Sequence, residues 1–211
     1  MTPIVDIHTH RPDADEALIS VDPRLFDPQP GKWYSVGFHP WHDVGQLTQA
    51  DFDLLERCAV HPQVLAIGET GIDHLRGDAL SIQAQTFIRH LHLAHKVGKP
   101  VVVHCVKAAQ DILAARHEAG LDDVTLIIHG TRGNERVARI LLDAGCYLSF
   151  GPRFNPATVL VTPPDRLLIE TDDSTDVTIN DLATSISLAR SMPPSEVINI
   201  AAANARRLLS P

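Results

Sequence analysis

Cysteine is scarce in this chain: Cys58, Cys105 and Cys146 are odd in number, widely spaced and set among apolar neighbours. Such a set argues against a disulfide framework and for a reducing compartment. Positive charge is also short. A formal net charge of -8 and an isoelectric point near 5.8 speak against a broad electrostatic footprint for duplex nucleic acid, whose phosphates are met by Lys and Arg. Long apolar runs are missing, and none approaches the roughly 20 residues needed to span a bilayer. The opening Met-Thr-Pro-Ile-Val-Asp has neither a basic stretch nor an apolar core of the signal-peptide kind. The expected location is the cytoplasm. Against these shortages stand 12 histidines.

With 211 residues the chain is long enough for one sizeable core, and a single domain over 1–211 is expected. Apolar runs at 4–7, 17–21, 33–37, 64–67, 100–103, 124–128, 146–150 and 166–169 read as strands. Segments 51–59, 80–97, 108–119, 134–144, 179–190 and 195–209 have helical spacing, and Gly98, Gly120 and Gly145 act as stops. Alternation of this kind builds βα units on a parallel sheet, whose strands are apolar on both faces. A (β/α)8 TIM barrel fits better than a doubly wound sheet, because polar residues recur at the carboxyl end of almost every strand. The length is short for such a barrel, and the shortage falls at 11–36, where the Asp-Pro and Pro-Gly pairs leave no room for a full helix. The first βα units are expected to be trimmed to loops.

Histidines gather at those strand ends. His8 and His10 are two apart on one strand and project to the same face. Glu69, His104, His129 and Asp172 each close a later apolar run. Four imidazoles and two carboxylates converging on one barrel mouth are the makings of a two-metal site. Such a site lowers the pKa of a bridging water and clamps the oxygens of a phosphoester. Glu69 is suited to bridge two cations. Asp172 is suited to bind one of them and to take the proton from the attacking water.

The matching stretches Asp6-Ile-His-Thr-His10, Val36-Gly-Phe-His-Pro40, Ile67-Gly-Glu-Thr-Gly-Ile-Asp73, Lys99-Pro-Val-Val-Val-His104, Leu126-Ile-Ile-His129, Leu148-Ser-Phe-Gly151 and Leu168-Ile-Glu-Thr-Asp172 run in order over nearly the whole chain. In them, and in the closing Asn204-Ala-Arg-Arg-Leu-Leu209, the chain resembles the TatD-type metal-dependent deoxyribonucleases of the amidohydrolase-like barrels. The resemblance implies that His8, His10, Glu69, His104, His129 and Asp172 ligate metal. It further implies a hydrolase acting on phosphodiester bonds, with single-stranded DNA ends as a natural partner. His39 matches a family histidine beside the site and is expected to hold a substrate phosphate. Glu170 is expected close by, and Asp6 to orient an imidazole.

This chain also departs from the family pattern. Val106 stands where an Arg is usual, Thr131 where an aromatic is usual, and Asp173-Ser-Thr175 replaces a small residue, Pro and an aromatic. The ligands are kept while the substrate-contact loops are changed. Lys107, Arg132 and Arg153, with Arg76, are the candidates for substrate phosphate. Trp33, Trp41 and Phe154 are the aromatics that could stack a base, although core packing or loop anchoring explains them better. Imidazole-rich shells suit Zn, Mn, Ni or Fe, whereas the family resemblance favours Mg. Two divalent ions are expected. The rival readings are a metal-dependent hydrolase of a small nucleotide, ester or amide, and a metal-stabilised binding protein without catalysis.

Overall fold

The computed structural model describes residues 4–209. Eight parallel strands follow one another around a closed barrel: β1 (Asp6–Thr9), β2 (Ala17–Val21), β3 (Trp33–Val36), β4 (Val64–Asp73), β5 (Val101–Val106), β6 (Leu126–Ile128), β7 (Tyr147–Phe150) and β8 (Leu167–Ile169). Among the described residues seven α-helices accompany them: α1 (Gln49–Ala59), α2 (Leu80–Val97), α3 (Ala109–Glu118), α4 (Glu135–Asp143), α5 (Pro156–Val161), α6 (Ile179–Arg190) and α7 (Pro194–Leu209). The expected barrel is therefore observed. So is its trimmed first half: a loop joins β1 to β2, and only a short 3-10 turn, Pro23–Leu25, lies between β2 and β3. By internal contacts the chain divides into two compact units, one of residues up to Ile19 with those from Ile127 onward, the other Ser20–Leu126.

Local chemistry explains the element ends. Thr48 caps α1 and Thr178 caps α6, each in a reciprocal box with the Asp three residues on (Asp51, Asp181). That arrangement satisfies amide groups a helix start leaves unpaired. Gly98 stops α2 in the left-handed conformation at φ 66°. Helix α5 is missing from the sequence reading, although Asn155 as cap and Pro156 in the first turn carry its signal.

In the unit 20–126, β4 corrects one boundary: the strand expected over 64–67 runs on to Asp73. Its ladder with β5 continues through Thr70↔Val103, Gly71↔His104 and Asp73↔Val106. The extension depends on glycine, because a Cβ on Gly71 (φ 152°) would lie 2.0 Å from the His104 carbonyl oxygen. In the other unit, β1 pairs with β8 at Asp6↔Ile169. The pairing is extended by Asp172 N–H donating to His8 O at 3.0 Å and His10 N–H to Asp172 O at 3.1 Å. Backbone bonds thus fix how the Asp6–His10 stretch meets Asp172.

Candidate metal centre

In the unit 20–126, three strand ends supply one polar cluster. His39 follows β3, Glu69 and Asp73 lie on β4, and His104 lies on β5. Glu69 Oε1 is 2.9 Å from His39 Nε2 and 2.8 Å from His104 Nδ1. Asp73 Oδ2 is 3.0 Å from His104 Nε2 and accepts the Trp41 indole N–H at 2.7 Å, while Oδ1 accepts the Leu75 amide at 2.7 Å. Burial works against the Asp73 charge, yet these hydrogen bonds outweigh it and hold the carboxyl below its ordinary value. Burial pushes His39 down, with Glu69 opposing.

Gln83 anchors the loop after β4. Buried at the start of α2, it accepts the Asp73 amide at 2.7 Å and donates to the carbonyls of Arg76 at 2.9 Å and Asp78 at 2.7 Å. Arg76 then lies over the Trp41 ring at 4.6 Å.

In the other unit, β1 and the ends of β6 and β8 build a second cluster. Asp172 Oδ1 is 3.6 Å from His8 Nε2 and 3.7 Å from His10 Nε2, and the His8 and His129 rings are 4.3 Å apart. Asp172 has a left-handed backbone, φ 55°, which aspartate tolerates better than most side chains. His129 Nδ1 is 3.5 Å from Glu170 Oε1. Glu170 is fully buried and accepts the Gly130 amide at Oε1, while its Oε2 has no hydrogen-bond partner among the described residues. A buried carboxylate oxygen of this kind is stabilised by a cation.

Asp6 secures the end of β8: its carboxylate accepts the Thr171 amide at 3.0 Å and the Thr171 hydroxyl at 2.5 Å, and Oδ2 is 3.9 Å from Arg11 Nη2. Burial raises its pKa to about 6 against those hydrogen bonds.

The basic candidates separate. Arg132 is 3.9 Å from Asp172 Oδ2, and Arg153 is 4.0 Å from Asp173. Both line a cleft of about 300 Å³ with Glu170, Asp172, Asp173 and Asp176. Lys107 is exposed just beyond β5 with φ 55°, and among the described contacts it forms no ion pair with either cluster. Phe154 packs on Phe150 with ring centres 6.5 Å apart, and Trp41 is anchored by Asp73. The sequence alone places Asp73 within a motif and Gln83 at the start of a helix, and assigns neither a role.

The donor atoms fit divalent cations. His8, His10 and Asp172 lie within 4.8 Å of one another, as do His129, Glu170 and Asp172, and His39, Glu69 and His104. Imidazole nitrogen with carboxylate oxygen is the donor mix of first-row transition metals.

A parallel eight-stranded barrel with such clusters at its strand ends defines a class, the metal-dependent barrel hydrolases. The family model described as TatD related DNase matches residues 24–210, and the chain belongs to that family. An uncharacterized metal-dependent hydrolase, YabD of Bacillus subtilis, is 30% identical over 197 residues, 82% of this chain and 76% of the relative. A protein named 3'-5' ssDNA/RNA exonuclease TatD, from Cronobacter turicensis, is 33% identical over 153 residues, 67% of this chain and 57% of the relative. For several relatives the matched stretch spans little more than half of their length. The solved structure of the TatD homologue YJJV from Escherichia coli superposes with a TM-score of 0.82 at 18% identity, covering 99% of this chain and 98% of that one, which shows the shared fold. The chain is a metal-dependent hydrolase of the TatD family.

Proposed function

We propose that this hydrolase cleaves phosphodiester bonds with two divalent cations, and that single-stranded nucleic-acid ends are its substrate. The observation that carries this reading is Asp172, placed with His8 and His10 on one side and Arg132 on the other. A base for the attacking water and a cation for the phosphate then stand side by side. Glu69 and His104 would hold one ion; His8, His10, His129 and Asp172 would hold the other. Bound there, the ions supply Lewis acidity and lower the pKa of water.

The chain's own groups do the rest. Asp172 takes the proton of the attacking water at a carboxylate oxygen. His39 would turn its Nε2–H from Glu69 to a phosphate oxygen once a cation engages Glu69. Arg132 and Arg153 neutralise the phosphate from the cleft. The exonuclease name of the Cronobacter relative supports the substrate class. Mn or Zn is the ion best matched to the nitrogen-rich shell.

Metal-stripped protein should be supplied with Mn, Zn or Mg and given labelled single-stranded DNA beside a chromogenic phosphodiester, with Asp172→Asn in parallel. Stepwise shortening of DNA by wild type alone is expected. DNA left whole by wild type under all three ions overturns the nuclease reading.

One observation favours a second reading, hydrolysis of a small phosphoester. Asp173 and Asp176 share the cleft with the two arginines, and carboxylates there repel a polyanionic chain more than a single phosphate. Turnover of the chromogenic ester with DNA untouched would select it.

A further inference from the structure

Trp41 has no part in the chemistry above, yet it touches both imidazoles of the Glu69 cluster. Its backbone N–H donates to His39 Nδ1 at 3.1 Å, and its indole N–H donates to Asp73 Oδ2 at 2.7 Å. The same Oδ2 is 3.0 Å from His104 Nε2. The ring centre lies 4.7 Å from that of His39 and 5.3 Å from that of His104, and the indole is capped by the Arg76 guanidinium.

A neutral imidazole carries one proton, and the partner of one nitrogen decides where it sits. His39 Nδ1 accepts from an amide, so its proton is on Nε2, the atom facing Glu69. His104 stands between two carboxylates, with Nδ1 2.8 Å from Glu69 Oε1 and Nε2 3.0 Å from Asp73 Oδ2. A cation on Glu69 takes the Nδ1 lone pair, which leaves the proton on Nε2 for Asp73. With that cation in place the two rings differ in character: His39 brings a hydrogen, His104 a lone pair.

We infer that Trp41 is the positioning residue that assigns these roles, through its amide to His39 and through its indole and Asp73 to His104. A cation at this cluster is then held by Glu69 and His104. His39 cannot ligate through Nε2 and remains a donor, although its distance alone would admit it as a third ligand. This inference rests on the metal-dependent reading.

Trp41→Phe keeps an aromatic ring and the backbone amide while deleting the indole donor, so the two histidines should respond differently. In zinc-loaded protein with 15N-labelled histidine, the His39 ring signals should stay in the Nε2–H pattern and those of His104 should change. Calorimetric titration of metal-stripped protein with Zn should show one binding step weakened about 10- to 100-fold. The step of the His8, His10 and Asp172 cluster should be unchanged. Asp73→Asn, nearly isosteric, should weaken the same step and serves if Trp41→Phe loses its fold. Unaltered His104 signals together with wild-type zinc affinity would overturn the positioning role while leaving the metal reading in place. A wild-type protein that binds neither Zn nor Mn would overturn both.

Discussion

His90 Nε2 accepts the backbone N–H of Phe38 at 3.0 Å, and His90 Nδ1 donates to the Thr86 carbonyl one helical turn back at 2.8 Å. A fully buried side chain of α2 thereby holds the residue directly before His39. The bond needs an unprotonated Nε2, and burial pushes this imidazole down to about 4 from its ordinary 6.5. Below pH 6.5 the unfolded chain takes up a proton that the folded one refuses until about pH 4. This contribution is fully present above 6.5 and is lost as pH falls toward 4, by on the order of 3 kcal/mol. Urea denaturation from pH 7.5 to 4.5 should show wild type losing stability more steeply than His90→Gln, and parallel curves would refute it.

Gly71→Ala should break the β4–β5 contact. The added methyl would sit 2.0 Å from the backbone oxygen of His104, and neither strand has a flexible side chain that can yield there. A loss of about 2–4 kcal/mol in chemical denaturation is expected. Metal affinity should drop in the fraction that still folds.

Gln83→Ala should loosen the 74–78 loop with little effect on the barrel. The side chain is 1% exposed and replaces backbone partners for Asp73, Arg76 and Asp78. Stranding those groups costs about 1–3 kcal/mol. Hydrogen exchange should rise at residues 74–78 before it rises in β4 or β5.

Arg132→Ala should raise KM for a phosphodiester about tenfold with a smaller change in kcat, as expected for an exposed cation that binds phosphate in ground and transition states alike. Steady-state kinetics at two ionic strengths check this, since added salt should narrow the gap.

The barrel was legible because parallel strands buried on both faces read as unbroken apolar runs, such as Val101-Val-Val103 and Leu126-Ile-Ile128. The strand-end residues were legible for the same reason: His104 and Asp172 interrupt or follow those runs. Where Gly68 and Gly71 resemble a turn, the reading stopped β4 early, because glycine for close strand approach and glycine for chain reversal look alike without partners. Which acceptor a carboxylate or indole would find was not legible either. Asp6 and His8 share a strand, but Thr171 captures the carboxylate. Trp41, in the loop after β3, meets Asp73, at the end of β4, across 32 residues of sequence.

The pairing of β1 with β8 has a consequence for the newborn chain. On a ribosome, His39, Glu69 and His104 emerge early, and the contacts His104 makes with Glu69 and His39 close loops of 35 and 65 residues. Thr9 and its neighbours must wait for Asp172, 163 residues later. Loop closure over that distance is slow and comes only once Asp172 has been made. The two clusters therefore mature at different times during synthesis, and a cation captured by the earlier one would be on board before the later one has its carboxylate.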